Sequence, residues 1–371
     1  MKIGIALDDS LDRPDGVQQY VRTLGNWLEA EGHEIHFLAG ETKNSNINNL
    51  HSLARTFKVR FNKNQLAVPM PTSRRTINKK LQQLDLDVVH AQMPFSPFFV
   101  GRLIQVYNGP VVATFHILPS GILSAAGNKM LAKFQKRTIN LIDDVIAVSA
   151  PAANYAVDIY GVKNPKIVPN SIKINNKGTK NSSNKITEIR FLGRLVNRKG
   201  ALLLLKAINL LVKNNNDINF RLTIGGSGPL DKKLKKYVKS KNLEKLVSFA
   251  GFIHEDQKAT FLNLADIAIF PATGGESFGI VIIEAIDAGA GIVIGGNNPG
   301  YAYVLDDKRV LVNPNSTIEL ANLLKQFITD KNLRNEIQEL QRNRLMNFDI
   351  DKNGPKVLKI YNSAIAKHKI K

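Results

Sequence analysis

Gly274-Gly275-Glu276-Ser277-Phe278-Gly279-Ile280-Val281-Ile282-Ile283-Glu284-Ala285 decides the reading of this chain. The apolar run Ile267–Pro271 before it has the length of a buried strand, and the apolar run inside it predicts a helix over 278–288. A glycine-rich loop therefore opens directly into a helix. The first turn of a helix presents unpaired N–H groups and the positive end of the helix dipole. That suits a phosphate held near Ser277, Phe278 and Gly279. Glu276 lies in the loop, and Glu284 follows eight residues later, two turns into the helix. The spacing alone would fit two unrelated surface carboxylates. The glycine-rich context is what points to a site.

Working outward, the same alternation of apolar run and amphipathic segment fills the second half. Strands are predicted at Glu188–Leu192, Asn219–Ile224, Val247–Gly251 and Gly291–Ile294. Helices are predicted at Gly200–Lys213, Leu230–Ser240, 256–265 and 316–330. The first half repeats the pattern. Lys2–Leu7 is a strand, Val17, Tyr20, Val21, Leu24 and Leu28 recur at helical spacing, and Gly32 stops that helix. Strands follow at Glu34–Ala39, Asp87–Ala91, Val111–Phe115, Val145–Val148 and Lys166–Val168. The class is α/β, with two Rossmann-like, doubly wound parallel-sheet domains. The stretch 173–185, KINNKGTKNSSNK, is polar and without apolar period, which makes it the linker. The expected domains are 1–172 and 186–348. The tail 349–371 carries a helix over 350–368 that is expected to cross back to the first domain. A ligand cleft is expected at the carboxyl ends of the strands.

Four further segments carry candidate chemistry. In Phe191-Leu192-Gly193-Arg194-Leu195-Val196-Asn197-Arg198-Lys199-Gly200, Arg194 can fork onto phosphate oxygens and Lys199 can place a point charge. An ordinary charged turn is the plain alternative. In Pro14-Asp15-Gly16-Val17-Gln18, Gly16 lets the backbone approach a phosphate at a helix entrance, although Asp15 would repel one unless turned away. His116 closes the strand Val111–Phe115, where a cleft-facing role competes with an ordinary structural one. Gly225-Gly226-Ser227-Gly228 is an incomplete dinucleotide fingerprint. Asp85-x-Asp87 has the look of a metal pair but fits a helix-to-strand turn better.

The chain has 371 residues, 43% of them apolar, which allows each half its own core. It contains no cysteine, so disulfides, thiolate metal sites and a cysteine nucleophile are excluded. Asp8 and Asp9 interrupt the first apolar run, which reads as a buried strand and not a signal peptide. No apolar stretch reaches the ~18 residues of a membrane span. The formal charge of +20 favours an anionic partner. From Thr42 to Leu84 there is no acidic residue, and within that stretch 73–84 reads as a helix with Ile77, Leu81 and Leu84 on one face. Arg74 and Lys80 flank that face while Arg75 and Lys79 point away, as in a cationic helix that docks on anionic lipid. A solvated basic face is the alternative.

The segment GGESFGIVIIEA resembles the Glu-x7-Glu segment of retaining glycosyltransferases of family 4, which share the two-domain GT-B fold. The resemblance extends through GVQ, ATFH, FLGR…RKG and GFI over nearly the whole chain, and within the family it is strongest to bacterial phosphatidylinositol mannosyltransferases, which carry a similar basic helix. It implies that Glu276 lies near the donor sugar and that Glu284 accepts the nucleotide ribose hydroxyls. Arg194 and Lys199 would hold the donor diphosphate, His116 would sit near the transferred sugar, and Glu255 would meet the base, where it could accept from N1 and N2 of guanine. Two departures stand out: Asn197 where related mannosyltransferases often carry an acid, and apolar Ile117 and Leu118 after His116. The implied reaction is metal-independent transfer of mannose from GDP-mannose to a membrane-lipid hydroxyl such as that of phosphatidylinositol. No cofactor beyond the nucleotide-sugar and no nucleic acid is expected. The implied location is cytoplasmic, peripheral at the inner face of the cell membrane. Competing readings are a soluble family 4 enzyme using a UDP- or GDP-sugar, a basic nucleic-acid-binding protein and a glycoside hydrolase.

Overall fold

The computed structural model describes residues 1–12, 15–43, 46–61, 64–93, 95–118, 122–175, 186–215 and 218–370. Residue contacts divide the chain into two compact units, Met1–Lys173 with Asp349–Lys371, and Ile174–Phe348. Residues 176–185 of the expected linker, and Pro14, lie outside the described residues.

In the first unit β1 (Lys2–Ala6), α1 (Gly16–Ala30), β2 (Glu34–Gly40) and β3 (Leu50–Ala54) come first. They are followed by β4 (Thr56–Phe61), β5 (Asn64–Pro69), α2 (Arg74–Leu84), β6 (Val88–Met93) and α3 (Val100–Val106). Then come β7 (Val111–Phe115), α4 (Ile122–Ile139), β8 (Asp144–Ala147), α5 (Ala150–Tyr160) and β9 (Lys166–Ile167). The parallel sheet runs β3-β2-β1-β6-β7-β8-β9, so the strand order reverses between β1 and β6. Its central strands are buried on both faces, including Ile3, Ile5, Val88, Val89, Val112 and Ala113, which is why they read as unbroken apolar runs. β4 and β5 form a separate antiparallel hairpin. Helices α2, α3, α4 and α5 lie side by side along the sheet.

The second unit begins with β10 (Thr187–Leu192), α6 (Ala201–Asn214), β11 (Phe220–Gly225), α7 (Asp231–Ser240), β12 (Val247–Gly251) and α8 (Glu255–Asn263). It continues with β13 (Ile267–Phe270), α9 (Ile280–Asp287), β14 (Ile292–Gly296), α10 (Pro299–Leu305), β15 (Leu311–Val312), α11 (Thr317–Thr329) and α12 (Lys331–Leu345). Its parallel sheet runs β12-β11-β10-β13-β14-β15, reversing between β10 and β13.

The last helix, α13 (Ile350–His368), belongs to the first unit and packs on α1. Gly354 makes that possible: a Cβ there would lie 2.6 Å from the Trp27 ring. The Tyr361 hydroxyl meets His90 Nδ1 at 2.7 Å, and the Lys367 ammonium donates to Asp144 at 2.7 Å. Among the described residues no helix is long and apolar enough to cross a membrane.

Candidate active site

In a doubly wound sheet, ligands gather where the strand order reverses, at the carboxyl ends of the strands. In the second unit those ends are the loops after β10 and β13, which carry the two strongest sequence segments. The loops are pressed together by backbone contact. Gly200 has φ +79°, and a Cβ there would lie 2.0 Å from the Pro271 carbonyl oxygen, so no other residue fits. Thr273 N–H donates to the Arg198 carbonyl at 2.9 Å. The start of α10 braces the loop from another direction. Asn298 accepts from the Tyr301 amide at 3.1 Å and donates to the Ala272 carbonyl at 3.2 Å. A Cβ on Gly300 would lie 2.2 Å from the Glu276 carbonyl oxygen.

The helix after this loop starts later than its apolar pattern suggests. Gly279, at φ 108°, is its N-terminal boundary, and α9 begins at Ile280. The amides suited to a phosphate are therefore those of the first turn from Ile280, while Ser277 and Phe278 lie in the preceding loop. Phe278 is 1% exposed, with its ring edge-on to Phe348 at 5.4 Å, so its side chain anchors the loop in the core and only its backbone is left for a ligand.

Glu276 is the electrostatic centre. Lys199 Nζ donates to its Oε1 at 2.9 Å, and the Arg198 guanidinium donates to the same oxygen while also reaching the Gly274 carbonyl at 3.2 Å. Burial pushes the Glu276 carboxyl up, but Lys199 and then Arg198 pull it down further, and the balance lies below the usual carboxylate range. The group is ionised. The structure thus unites Lys199 and Glu276, and adds Arg198, which sequence reasoning passed over in favour of Arg194. Arg194 sits exposed on the same loop.

Glu284, on α9, is also paired. Lys258 of α8 donates to Glu284 Oε1 at 3.0 Å and meets Glu255 Oε1 at 2.8 Å. Burial would push the Lys258 ammonium down, but Glu284 and Glu255 hold it above its ordinary value. Glu255, expected at the base, is the exposed first residue of α8. Lys258 is a second residue that motif reading missed. It stands three residues after Glu255, one helical turn away, and that spacing was the available signal.

In the first unit Gly16 is the exposed first residue of α1, with Asp15 as its extended N-cap. His116 follows β7, 7% exposed, and its Nε2 meets Gln92 Oε1 at 2.8 Å. Burial pushes the His116 imidazole down to about 3, so it is neutral at physiological pH. Gln92 Nε2, buried beside it, finds no partner among the described residues. His90 bridges Tyr361 and Thr114, whose hydroxyl it meets at 2.6 Å. Asp87 accepts from the Lys2 amide at 2.7 Å, and Asp85 ends α2 in a left-handed turn, so this pair shapes a turn. On α2, Ile77 and Leu81 are buried, Arg74, Arg75 and Lys79 exposed, and Lys80 half-buried.

Residues 173–344 match the family described as Glycosyl transferases group 1, and residues 14–176 match Glycosyltransferase Family 4. The chain is 30% identical to a phosphatidyl-myo-inositol mannosyltransferase of Propionibacterium freudenreichii, over 98% of this chain and 95% of the relative. It is 26% identical to the protein of the same name from Mycolicibacterium smegmatis, over 97% of this chain and 93% of the relative. Among solved structures it superposes on sucrose-phosphate synthase from Thermosynechococcus elongatus with TM-score 0.77 and 17% identity, covering 99% of this chain and 100% of the other. A glycosyltransferase from Rickettsia africae gives TM-score 0.73 at 17% identity, covering 98% of both chains.

Proposed function

The chain belongs to glycosyltransferase family 4, with the GT-B fold, and from that premise we propose that it moves mannose from GDP-mannose to a membrane-lipid hydroxyl, such as that of phosphatidylinositol, with retention of configuration. The observation that carries the reading is Glu276, an ionised carboxylate held by Lys199 and Arg198 where the strand order of the second unit reverses. A carboxylate able to orient a sugar stands beside two cations able to hold a diphosphate. The lipid acceptor is suggested by what the two mannosyltransferase relatives are named for.

In this reading the bond between the sugar's anomeric carbon and the diphosphate breaks as the acceptor oxygen bonds to that carbon on the same face. The acceptor proton passes to the leaving phosphate oxygen. Charge developing on the nucleoside diphosphate is met by Arg194, Arg198, Lys199 and the first turn of α9. Glu276 orients the sugar, Glu284 takes the ribose hydroxyls and Glu255 takes guanine. Glu276 shares its charge with two cations and is a poor nucleophile, which favours same-face attack over a covalent intermediate. The basic side chains do the neutralising, without a metal ion. The place of action is the inner face of the cell membrane.

The test offers GDP-mannose, UDP-glucose or ADP-glucose to the protein with phosphatidylinositol vesicles and follows sugar into the lipid phase. Transfer from GDP-mannose alone, giving an α-linked product by NMR, is expected. Transfer from a different donor, an inverted product, or transfer confined to soluble acceptors would each overturn the corresponding part.

A further inference from the structure

Between Glu41 and Asp143 only Asp85 and Asp87 are acidic. Helix α4 lies inside that span and carries no acid. Its inward positions Ala132, Gln135, Thr138 and Ile139 are buried against the first unit. Its outward positions include Met130 at 63% and Phe134 at 71% exposure, one helical turn apart, and Leu141, in the turn that follows, is 47% exposed. Lys129, Lys133, Lys136 and Arg137 are exposed around them. Single exposed apolar residues are ordinary. Two large ones a turn apart, flanked along one side by four cations on an acid-free helix, combine an apolar wedge with the charge that anionic headgroups attract.

Helix α2 lacks the wedge, because its exposed residues, Arg74, Arg75, Thr76, Lys79, Gln82 and Gln83, are all polar. The two helices share one surface. Arg74 donates to Gln105 of α3 at 2.7 Å, and the Gln105 amide donates to Thr138 of α4 at 2.8 Å. A phosphate backbone alone would use the cations and leave Met130 in water. A bilayer uses both.

We propose that the outward face of α4 enters the anionic bilayer, with Met130 and Phe134 at the headgroup–acyl boundary and Lys129, Lys133, Lys136 and Arg137 on lipid phosphates, while α2 contributes charge only. The inference rests on the membrane-lipid reading above and specifies the surface that reading needs.

The test is co-sedimentation of the whole protein with vesicles of phosphatidylcholine, with and without anionic phosphatidylglycerol. Met130→Ser with Phe134→Ser keeps every charge and alters only exposed side chains. The circular dichroism spectrum and the melting temperature should match the wild type and so report an intact first unit, which carries α4. Vesicle partitioning should fall on the order of a hundredfold, the effect of withdrawing two large apolar side chains from lipid. At about 1 M salt, where the Debye length is about 3 Å, the wild type should keep a bound fraction that this variant lacks. Changing Arg74, Arg75, Lys79 and Lys80 to Ser should weaken binding at low salt only. If the double variant partitions like wild type, α4 is not the docking face and the membrane-lipid reading stands. If the wild type binds neither vesicle, both fall.

Discussion

Glu276 pairs with Lys199 and Arg198, so under the proposed reaction its carboxylate competes with the nucleoside diphosphate for both cations. Glu276→Gln should therefore tighten GDP binding, by about 3–10-fold for one charge removed at this range, while turnover falls by about a hundredfold or more. Calorimetry against kcat separates the two. Weaker GDP binding would mean that the carboxylate chiefly organises the cations. Lys258 offers a second case. It lies at 15% exposure between Glu255 and Glu284, and Lys258→Met should cost about 1–3 kcal/mol of stability in urea unfolding. Paired with Glu284→Gln, the two losses should not add. Glu276 and Glu284 stood out in the sequence because one lies in a glycine-rich loop and the other follows two turns into the helix which that loop opens. The partners did not. Arg194, Arg198 and Lys199 share one short loop, and which of them turns inward depends on Gly200 pressing that loop onto Pro271, a contact between segments about seventy residues apart in sequence. Phe278 sits inside the motif, yet its ring serves the core and only its backbone faces the loop's chemistry.

Strands buried on both faces and the helices between them could be read from the sequence, since an apolar run bounded by glycine has few alternatives. Elements whose stability comes from specific polar contacts could not. Helix α12 has little apolar period because Gln341 occupies a core position, where its amide accepts from the Val293 N–H at 2.9 Å and donates to the Val293 carbonyl at 2.7 Å. The β4–β5 hairpin falls in the basic stretch that was read only for charge. Helix α10 was also missed, although Asn298, Pro299 and Gly300 together are an N-terminal signal. This short helix has a function that its length hides, since it holds the Glu276 loop. Gly300→Ala would drive a methyl group into the Glu276 backbone, and backbone cannot yield as a flexible side chain can. The expected result is a loss of about 1–3 kcal/mol in stability, as for other overpacked sites. Nucleotide affinity should fall with it, measured by thermal melting and calorimetry on one preparation. A stable variant with full affinity would detach α10 from the site.

For the whole molecule, the balance of buried titratable groups sets the response to acid. Burial holds His90 and His116 near 3, against an ordinary 6.5, and pushes Asp8 up to about 6. Below 6.5 the unfolded chain takes protons that the two folded histidines refuse, so stability falls with pH by about 1.4 kcal/mol per unit for each. Asp8 acts in the opposite sense, because its folded form keeps a proton that the unfolded form has lost, an advantage that disappears as pH rises through about 6. Two histidines against one aspartate leave a net loss in acid between pH 6 and 4. His116→Gln should flatten the slope of unfolding free energy there and Asp8→Asn should steepen it; chemical denaturation at stepped pH reads both, and unchanged slopes would contradict the assignment. One consequence lies in the course of synthesis. The first unit needs α13, which is translated after the entire second unit. At about 5–20 residues per second, the ribosome spends on the order of ten seconds or more making Ile174–Phe348 while Trp27 and His90 wait for the helix that covers them. The nascent chain must therefore finish its later half first, and a message cut short before codon 350 would yield one unit able to fold and another left open to chaperones and proteases.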